Sequence, residues 1–361
     1  MIDIDIALLR GIGLTQPLIH QLLQLNPTDG TLMRVTEIQR DALRLHDGRR
    51  EQSARALPLL VHALQADGEA LAVGDWVLAW RNAQHELWAG VRVTPLTQLS
   101  RRNTYGQRQV LVSNVDTALL VMGLDQDFNL RRLERYLALA RLAGVSAVVV
   151  LTKADACADA ASRLAQVQAQ LPASVHALAV NGLSPAARDA LAPWLIAGQT
   201  LVLLGSSGAG KSTLTNTLTA SDAQLTAGVR SGDERGRHTT TVRSLHRTPE
   251  GACIIDTPGL RTLRLDTDEA ALVGAFDDIA SLALHCRFRD CRHADEPGCA
   301  VRAGVAPERL RNFHKLQREA RRDTLNAVER KQQVQQWKAR GRAWRRRGGL
   351  SAATSPPPAR A

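Results

Sequence analysis

Short, continuous apolar runs recur along the middle of the chain and are separated by amphipathic stretches. Residues 145–151, 201–204 and 253–255 are runs of this kind, and each leads into polar residues typical of a loop. Such runs are typical of strands that are buried on both faces of a parallel sheet. Residues 130–144 instead place apolar side chains near i, i+3 and i+4, which predicts a helix. The alternation predicts βαβ units and therefore a parallel sheet covered by helices.

The N-terminal third of the chain follows a different pattern. Residues 1–33 have no clear periodicity, whereas the sequence from Arg34 alternates apolar and polar positions as a pair of strands would. Residues 71–80 predict a further strand, and residues 49–68 are partly helical by their apolar spacing. Residues 99–109 are basic and poor in apolar side chains, and we interpret them as a connector between an N-terminal domain and the central sheet.

Composition adds an electrostatic constraint to this pattern. The chain has 361 residues, enough for two or three domains, and its 46 lysine and arginine residues outnumber its 35 acidic residues by 11. An excess of this size predicts a polyanionic partner. No apolar run approaches about eighteen residues, and the N-terminus has no basic segment before its apolar residues. We therefore expect a cytoplasmic protein with no membrane segment.

The sequence GSSGAGKST, which follows the apolar run at 201–204, is the strongest chemical motif in the chain. Its place between a predicted strand and a predicted helix is the context that a phosphate-binding P-loop requires. Glycines there let backbone N–H groups surround phosphates at a helix N-terminus, where the helix dipole favours negative charge. Lys211 is predicted to reach the β- and γ-phosphates, and Ser212 to bind Mg²⁺. The candidate nucleotide-binding residues are Gly205, Ser206, Ser207, Gly208, Ala209, Gly210, Lys211, Ser212 and Thr213.

Two further segments have the composition of GTPase switches. The sequence DTPG follows the run at 253–255; there Asp256 would hold Mg²⁺ through water, and the N–H group of Gly259 would contact the γ-phosphate. The polar sequence RGRHTTT at 235–241 is interpreted as a mobile first switch, in which the hydroxyl of Thr240 would bind Mg²⁺ in the triphosphate state. Taken alone, the sequence at 235–241 is equally well explained as a threonine-rich surface turn.

A candidate guanine-binding motif lies before the P-loop. The run at 145–151 leads into Thr152, Lys153, Ala154 and Asp155. The Asp155 carboxylate can accept hydrogen bonds from N1–H and the 2-amino group of guanine, which adenine does not offer. Lys153 would lay its methylene groups along the base. Thr152 stands where asparagine is usual in this motif, so an ATP-binding site remains an alternative.

A cluster of metal-ligating residues follows the second switch. Cys286, Cys291, His293 and Cys299 have the spacing Cx4CxHx5C. Three thiolates and one imidazole are the ligand set of a closed, tetrahedral, structural zinc site, so we predict one Zn²⁺ per chain. Zinc would stabilise a small module that has few apolar residues of its own. Reduced cysteines in a loop are the alternative.

The C-terminal segment is strongly basic. Residues 302–349 contain 15 lysines and arginines against 4 acidic residues, with Trp337 and Trp344 among them. A helix is predicted from Pro307 onwards. This composition suits binding of RNA phosphates with aromatic stacking on bases, although a solvated basic helix is an alternative. Residues 350–361 are predicted to be disordered.

The order of these motifs is that of a circularly permuted GTPase, because the base motif precedes the P-loop. On SNVDTALLV, RRLERYL, TKAD, GSSGAGKST, RGRHTTT, DTPGL and the cysteine cluster, the chain resembles the circularly permuted GTPases that depend on the small ribosomal subunit. The resemblance spans about residues 70–320 and implies a multidomain α/β fold. Its parts would be an N-terminal extension with an OB-type β-barrel (1–98), a circularly permuted P-loop GTPase domain (99–265) and a zinc-binding, basic helical domain (266–349).

The resemblance also implies a function. The family hydrolyses GTP to GDP and phosphate under stimulation by the small ribosomal subunit, and assists late assembly of that subunit. The implied cofactors are Mg²⁺ with GTP and one Zn²⁺, and the implied partners of a monomeric protein are the small subunit with its rRNA and GTP or GDP. Leu260 stands where many GTPases have a water-orienting glutamine, so His238 joins Lys211 and Thr240 as a candidate catalytic residue. The alternative is a zinc-stabilised RNA-binding protein that uses GTP as a structural or regulatory ligand with negligible turnover.

Overall fold

The structure, a computed structural model, describes residues 5–27, 29–39, 42–103, 107–220, 243–257, 264–267 and 269–324. Five of the described strands close into a barrel: β1 (Thr31–Gln39), β2 (Ala42–His46), β3 (Glu51–Ala56), β4 (Trp76–Arg81) and β5 (Leu87–Arg92). Hydrogen bonds join them in the order β1–β2–β3–β5–β4–β1. Their inward side chains, among them Val35, Leu45 and Val77, form a buried apolar core. The closed barrel confirms the predicted OB-type domain.

Three helices accompany the barrel. α1 (Ile6–Arg10) and α2 (Gln16–Gln24) precede it, and α3 (Pro58–Ala66) lies between β3 and β4. α3 accounts for the helical spacing within residues 49–68. The two earlier helices were not predicted, because α1 has only five residues and turns a single leucine inward, while α2 buries only Leu18 and Leu22.

The central sheet has the predicted parallel architecture. Its described strands are β8 (Thr117–Gly123), β9 (Ser146–Thr152), β10 (His176–Ala179), β11 (Thr200–Leu204), β12 (Ser244–Arg247) and β13 (Cys253–Asp256). They lie in the order β10–β9–β8–β11–β13–β12, and only β12 runs antiparallel to its neighbour β13. The sheet is covered by α4 (Leu130–Leu142), α5 (Ala160–Gln168), α6 (Ala186–Leu191) and α7 (Lys211–Thr219). Apolar side chains pack on both of its faces, which explains the continuous apolar runs.

Asn114 joins the barrel to the central sheet. Its backbone is left-handed, with φ of +52°. Its side chain donates a hydrogen bond to the Gly74 carbonyl (3.0 Å) and accepts one from the Leu96 N–H group (2.9 Å). Its carbonyl oxygen accepts a hydrogen bond from the fully buried guanidinium of Arg34 on β1 (3.1 Å). The asparagine therefore ties three segments of chain together at one buried point.

Residues 99–109, interpreted from sequence as a connector, contribute to a small sheet of their own. β6 (Gln98–Arg102) and β7 (Arg108–Ser113) form an antiparallel hairpin, to which β14 (Arg264–Leu265) adds a third strand. The basic side chains are paired in the structure: Asp266 accepts from Arg102 (3.1 Å) and from Arg108 (3.0 Å). The pattern was misleading because the balancing carboxylate lies more than 150 positions further along the chain.

The C-terminal helices pack against the central domain. They are α8 (Glu269–Gly274), α9 (Asp277–Ala283), α10 (Ala300–Gly304) and α11 (Pro307–Thr324). Phe313 and Leu316 of α11 are buried in the same apolar core as Tyr136 of α4. Two arginine–carboxylate contacts reinforce the packing: Arg135 contacts Glu319 and Arg309 contacts Glu134, each with a nitrogen–oxygen distance of 2.7 Å. Across the described residues, every helix is too short or too polar to span a bilayer.

Candidate functional site

The P-loop lies between β11 and α7, as its sequence predicts. Gly208 and Gly210 have positive φ values of +83° and +88°. A side chain at Gly205 would bring its Cβ within 2.3 Å of the Val121 carbonyl oxygen on the neighbouring strand. These positions accept only glycine without strain, because L-residues rarely adopt positive φ and the backbone of β8 leaves no space. Among the remaining loop residues, Ser207 is exposed to solvent.

The buried side chain of Lys211 bonds to the backbone of the P-loop. Its Nζ donates hydrogen bonds to the carbonyl oxygens of Gly205 (3.0 Å) and Ser206 (2.7 Å), and the residue is only 6% exposed. Burial lowers the pKa of Lys211, while the nearby carboxylates of Asp256 and Asp127 oppose that shift. The Lys211 side chain therefore lies at the N-terminus of α7, which is where phosphate oxygens bind in a P-loop.

The base motif contacts the P-loop, although it precedes the loop by about fifty positions. The Thr152 hydroxyl donates a hydrogen bond to the carbonyl oxygen of Ala209 (2.6 Å). Lys153 has a left-handed backbone, and its Nζ donates to the Gly208 carbonyl (2.8 Å). Asp155 lies just beyond them, on an exposed turn. Thr152 and Lys153 therefore both tether the base motif to the backbone of the P-loop.

The turn after β10, which contains Asn181 and Gly182, lies next to the same loop. Gly182 is within 4.0 Å of the methyl groups of Thr152 and Thr213, measured from the position that its Cβ would occupy. Its carbonyl oxygen accepts a hydrogen bond from the Thr217 hydroxyl of α7 (2.7 Å). The preceding Asn181 uses its side-chain oxygen to accept from the Leu183 N–H group. The turn is therefore attached to the helix that the P-loop begins.

The predicted second switch follows β13, which lies beside the strand that leads into the P-loop. β13 pairs in parallel with β11, and Asp256 lies opposite Leu203. The next hydroxyl, that of Thr257, donates to the Leu203 carbonyl (2.6 Å). Ser212, the predicted Mg²⁺ ligand, is exposed in the first turn of α7. The predicted site residues His238, Thr240 and Gly259, together with Leu260, lie outside the described residues.

The cysteine cluster has the geometry of a metal centre. The ligand atoms of Cys286, Cys291, His293 and Cys299 all lie within 4.8 Å of one another. His293 Nδ1 is 3.6 Å from the Cys286 sulfur and 3.5 Å from the Cys299 sulfur. Tetrahedral Zn²⁺, with Zn–S of about 2.3 Å and Zn–N of about 2.0 Å, separates its ligand atoms by about 3.5–3.8 Å. The ligand set and its spacing therefore fit zinc.

Contacts outside the cluster hold its histidine in place. The carbonyl oxygen of His293 accepts a hydrogen bond from His314 Nε2 of α11 (3.2 Å). The Glu296 carboxylate accepts from the backbone N–H groups of Arg292 (3.0 Å) and Ala294 (2.8 Å) on either side. Such outer contacts orient ligands before a metal binds.

Comparison with known proteins gives the family. A family model described as RsgA GTPase matches residues 93–266. A Vibrio vulnificus protein named "Small ribosomal subunit biogenesis GTPase RsgA 2" is 44% identical over 273 residues, which cover 74% of this chain and 77% of that protein. The chain belongs to the RsgA GTPase family. A Xanthomonas oryzae member, named "Small ribosomal subunit biogenesis GTPase RsgA", is 48% identical over 259 residues, or 69% of each chain. Membership makes this chain a GTP hydrolase, and the ATP-site alternative is rejected.

Solved structures of similar proteins confirm the permuted fold. YjeQ from Thermotoga maritima superimposes with a TM-score of 0.59 at 20% identity, covering 80% of this chain and 98% of its own. YloQ, described as a circularly permuted GTPase, superimposes with a TM-score of 0.54 at 20% identity, covering 82% and 96%. Together with the family match, they confirm the resemblance to circularly permuted GTPases that the motif order indicated.

Two carboxylates near the P-loop were missed in the sequence. Asp127 accepts hydrogen bonds from the Ser206 hydroxyl and from Arg132, both at 2.5 Å. Asp125 accepts from Lys153 Nζ (2.6 Å), the same ammonium group that holds Gly208. Both follow β8, the strand next to β11, and the carboxyl ends of neighbouring parallel strands meet at one edge. Their position after that strand is the pattern that would have revealed them.

Proposed function

We propose that the protein hydrolyses GTP under stimulation by the small ribosomal subunit, and that it acts in the cytoplasm during late assembly of that subunit. The observation that carries the nucleotide part is the bonding of the base motif to the P-loop, through Thr152 to Ala209 and Lys153 to Gly208. The names of the relatives support the ribosomal part. The proposed partners are the subunit, its rRNA and the guanine nucleotides, with the protein acting as a monomer.

The residues take the following proposed roles. Lys211 and the backbone N–H groups of the P-loop bind the β- and γ-phosphates, and Asp155 with Lys153 binds guanine. Ser212 and Thr240 would ligate Mg²⁺, Asp256 would hold it through water, and Gly259 would contact the γ-phosphate. Mg²⁺ would neutralise charge on the phosphates as the terminal bond breaks. Such catalysis depends on positioning and charge, which a rigid loop fixed by Lys153 and Asp127 favours.

The strands that adjoin the switch segments also contact the barrel side of the molecule. β12 begins just after the first switch segment and pairs with β1 of the barrel, with Glu37 opposite Ser244. β14 follows the second switch segment and pairs with β6. Beside it, Asp266 binds Arg108, which also binds Glu69 near the barrel (2.9 Å). We propose that nucleotide state alters the barrel through these two attachments.

His238 is proposed to orient the attacking water. Leu260 cannot form a hydrogen bond there, so the role must pass to another polar group. His238→Ala is expected to lower subunit-stimulated turnover by about one to three orders of magnitude with little loss of GTP affinity. A loss of this kind is typical of a group that orients the attacking water or transfers a proton without binding the nucleotide. Steady-state turnover and equilibrium GTP binding would be measured together. The control is His62→Ala, an exposed histidine on α3; equal stimulated rates in both variants would refute the role.

Zinc at the cysteine cluster is proposed to be structural. Removing it with a chelator is expected to raise hydrogen exchange across residues 286–299 while leaving GTP binding unchanged, because the P-loop contacts none of the four ligands. The Cys286→Ser variant should behave like the chelated protein, and Cys157→Ser, which alters a cysteine outside the cluster, should not. A metal analysis that finds no zinc in the purified chain would reject the assignment.

Co-sedimentation with small ribosomal subunits tests the proposed function. The protein should pellet with subunits in the presence of a non-hydrolysable GTP analogue, and remain largely soluble with GDP or with the matching ATP analogue. Equal binding to subunits with the GTP analogue, GDP and the ATP analogue would contradict the proposed coupling between the GTPase site and the ribosome.

A further inference from the structure

The Asp127 carboxylate lies beside the P-loop and is held there by hydrogen bonds. Its Oδ1 atom accepts from the Ser206 hydroxyl and from the Arg132 guanidinium, and its Oδ2 atom accepts from the Gly123 N–H group at the end of β8 (3.3 Å). Only 14% of the side chain is exposed. Hydrogen bonds to a charged, largely buried carboxylate are short and strong, so this group holds the Ser206 side chain in one orientation.

Ser206 joins this carboxylate to the lysine of the P-loop. Its hydroxyl bonds to Asp127, while its carbonyl oxygen accepts a hydrogen bond from Lys211 Nζ (2.7 Å). Burial lowers the pKa of Lys211, and the charges of Asp256 and Asp127 raise it. A change at residue 127 would therefore reach the ammonium group in two ways, through the position of Ser206 and through the loss of a nearby negative charge.

Asp127 is itself tied to the first turn of α4. Arg132, in that turn, donates to both the carboxylate and the backbone carbonyl oxygen of Asp127. The Asn129 side chain caps the helix by accepting from the Arg132 N–H group (3.0 Å). The N–H group of Asp127 donates to the Asp125 carboxylate (3.0 Å). The loop between β8 and α4 is therefore fixed to the start of the helix that follows it.

The same end of α4 carries contacts with the C-terminal helix α11. Arg135 binds Glu319 of α11 through two contacts, of 2.7 and 3.0 Å, and Glu134 accepts from Arg309 (2.7 Å). Both α4 residues lie in the first two turns of the helix. A helix is stiff over two turns, so a shift of α11 would be carried along α4 to Asp127.

We propose that Asp127 is a positioning residue for GTP hydrolysis. It holds Ser206 and, through Ser206, the ammonium group of Lys211 at the place where charge accumulates on the terminal phosphate. The docking of α11 on α4 sets the position of Asp127, so the C-terminal helices act on the phosphate site by a route that is separate from the two switch segments. The inference rests on GTP hydrolysis, and not on the ribosomal part of the proposed function.

Simple repulsion is the competing explanation for an acidic group near bound phosphates. Asp127 would then weaken GTP binding, and its neutralisation would strengthen that binding. The pairing with Arg132 argues against repulsion, because the guanidinium balances the carboxylate at short range. A positioning role predicts the opposite result, which is a slower reaction when the carboxylate is neutralised.

Single-turnover hydrolysis at saturating GTP, measured without subunits, tests the positioning role. Asp127→Asn is expected to lower the rate by about 10- to 100-fold, the scale of a lost hydrogen bond to a charged group. GTP affinity should change by less than about threefold, because the P-loop N–H groups and the base motif still bind the nucleotide. Ser206→Ala should cause a similar loss of rate. The double variant should be no slower than Asp127→Asn, since the two residues share one contact.

Asp189→Asn is the matched control for these variants. It is the same substitution at an exposed residue of α6, and its rate should equal that of the parent protein. The stoichiometry of GTP binding would show that each variant is folded. A role in stability alone would lower the unfolding temperature and leave the rate at saturating GTP unchanged.

A substitution on α11 tests the route through α4. Glu319→Gln removes the carboxylate that binds Arg135, and is expected to lower the single-turnover rate by about 3- to 10-fold. The same substitution in Asp127→Asn should cause no further loss. Lys315→Gln, which neutralises an exposed charge on the same helix, is the control and should keep the parent rate.

A parent-like rate or tighter GTP binding in Asp127→Asn would overturn the proposal. So would losses that add up in the double variant, because Asp127 and Ser206 would then act separately. An unchanged rate in Glu319→Gln, or a loss that persists in Asp127→Asn, would overturn the route through α4. These rates are measured without subunits. If subunits fail to stimulate the parent protein while Asp127→Asn and Ser206→Ala behave as expected, the proposed function fails and this inference stands.

Discussion

Lys211→Ala is expected to lower GTP turnover by at least about 10²- to 10³-fold, the usual cost of removing one charged or polar group that stabilises a transition state. The ammonium group is the buried cation of the P-loop, and Asp256 and Asp127 favour its charged form. As a terminal phosphate leaves, charge accumulates on oxygens that this cation would contact. Single-turnover hydrolysis at saturating GTP would measure the loss separately from affinity.

The matched control for this variant is Lys315→Ala. That lysine is exposed on α11 and lies outside the P-loop. Its turnover should equal that of the parent protein, and the unfolding temperature of Lys211→Ala should stay close to the parent value. Similar turnover in both variants would show that Lys211 has no part in the reaction.

Asp155→Asn is expected to reverse the base preference. Hydrogen bonds to a charged acceptor contribute about 1.5–3 kcal/mol each, so losing two should weaken GTP binding by about 10²-fold or more. The new amide can donate a hydrogen bond to the 2-oxo group of xanthine, so XTP should bind better to the variant than to the parent protein. Competition of GTP, XTP and ATP against a labelled nucleotide would measure all three affinities.

Asp159→Asn provides a close control. It is the same substitution four positions later, at an exposed residue whose side chain caps no hydrogen bond of α5. It should leave the nucleotide preference unchanged. Equal GTP affinity in Asp155→Asn and Asp159→Asn would mean that the base is recognised elsewhere, and would remove the reason for placing guanine beside β9.

The central sheet was predictable because its strands are buried on both faces. A strand in that position is built around a continuous apolar run, as β11 is at 201–204 and β13 at 253–255, and such runs are visible in sequence. The circular permutation was predictable from motif order, because the base motif precedes the P-loop in sequence. In the structure Thr152 and Lys153 of that motif contact the P-loop. The cysteine cluster was predictable for a similar reason, because all four ligands lie within one short segment.

The missed features depend on partners that are distant in sequence. Arg108 looks like part of a basic connector until Asp266 and Glu69 are placed beside it. Asp127 has no recognisable motif of its own, and its importance comes from Ser206, 79 positions later. Contacts of this kind depend on the three-dimensional arrangement, and local residue patterns do not encode them.

The docking of α11 has a consequence for how the molecule transmits nucleotide state. Arg309 links Glu134 of α4 to Asp278 of α9, where two contacts of 2.8 Å form a bidentate pair. Breaking a part-buried pair of this kind costs more than breaking an exposed one. The C-terminal helices are therefore expected to move with α4, while the barrel responds to the switch segments through β12 and β14.

Hydrolysis of GTP and ATP by the purified protein, with and without small ribosomal subunits and at two salt concentrations, tests the central claim most directly. The account predicts slow turnover of GTP alone, strong stimulation by subunits, no comparable ATP hydrolysis, and weaker stimulation at the higher salt concentration because phosphate contacts are screened. GTP turnover that subunits leave unchanged at both salt concentrations would contradict it.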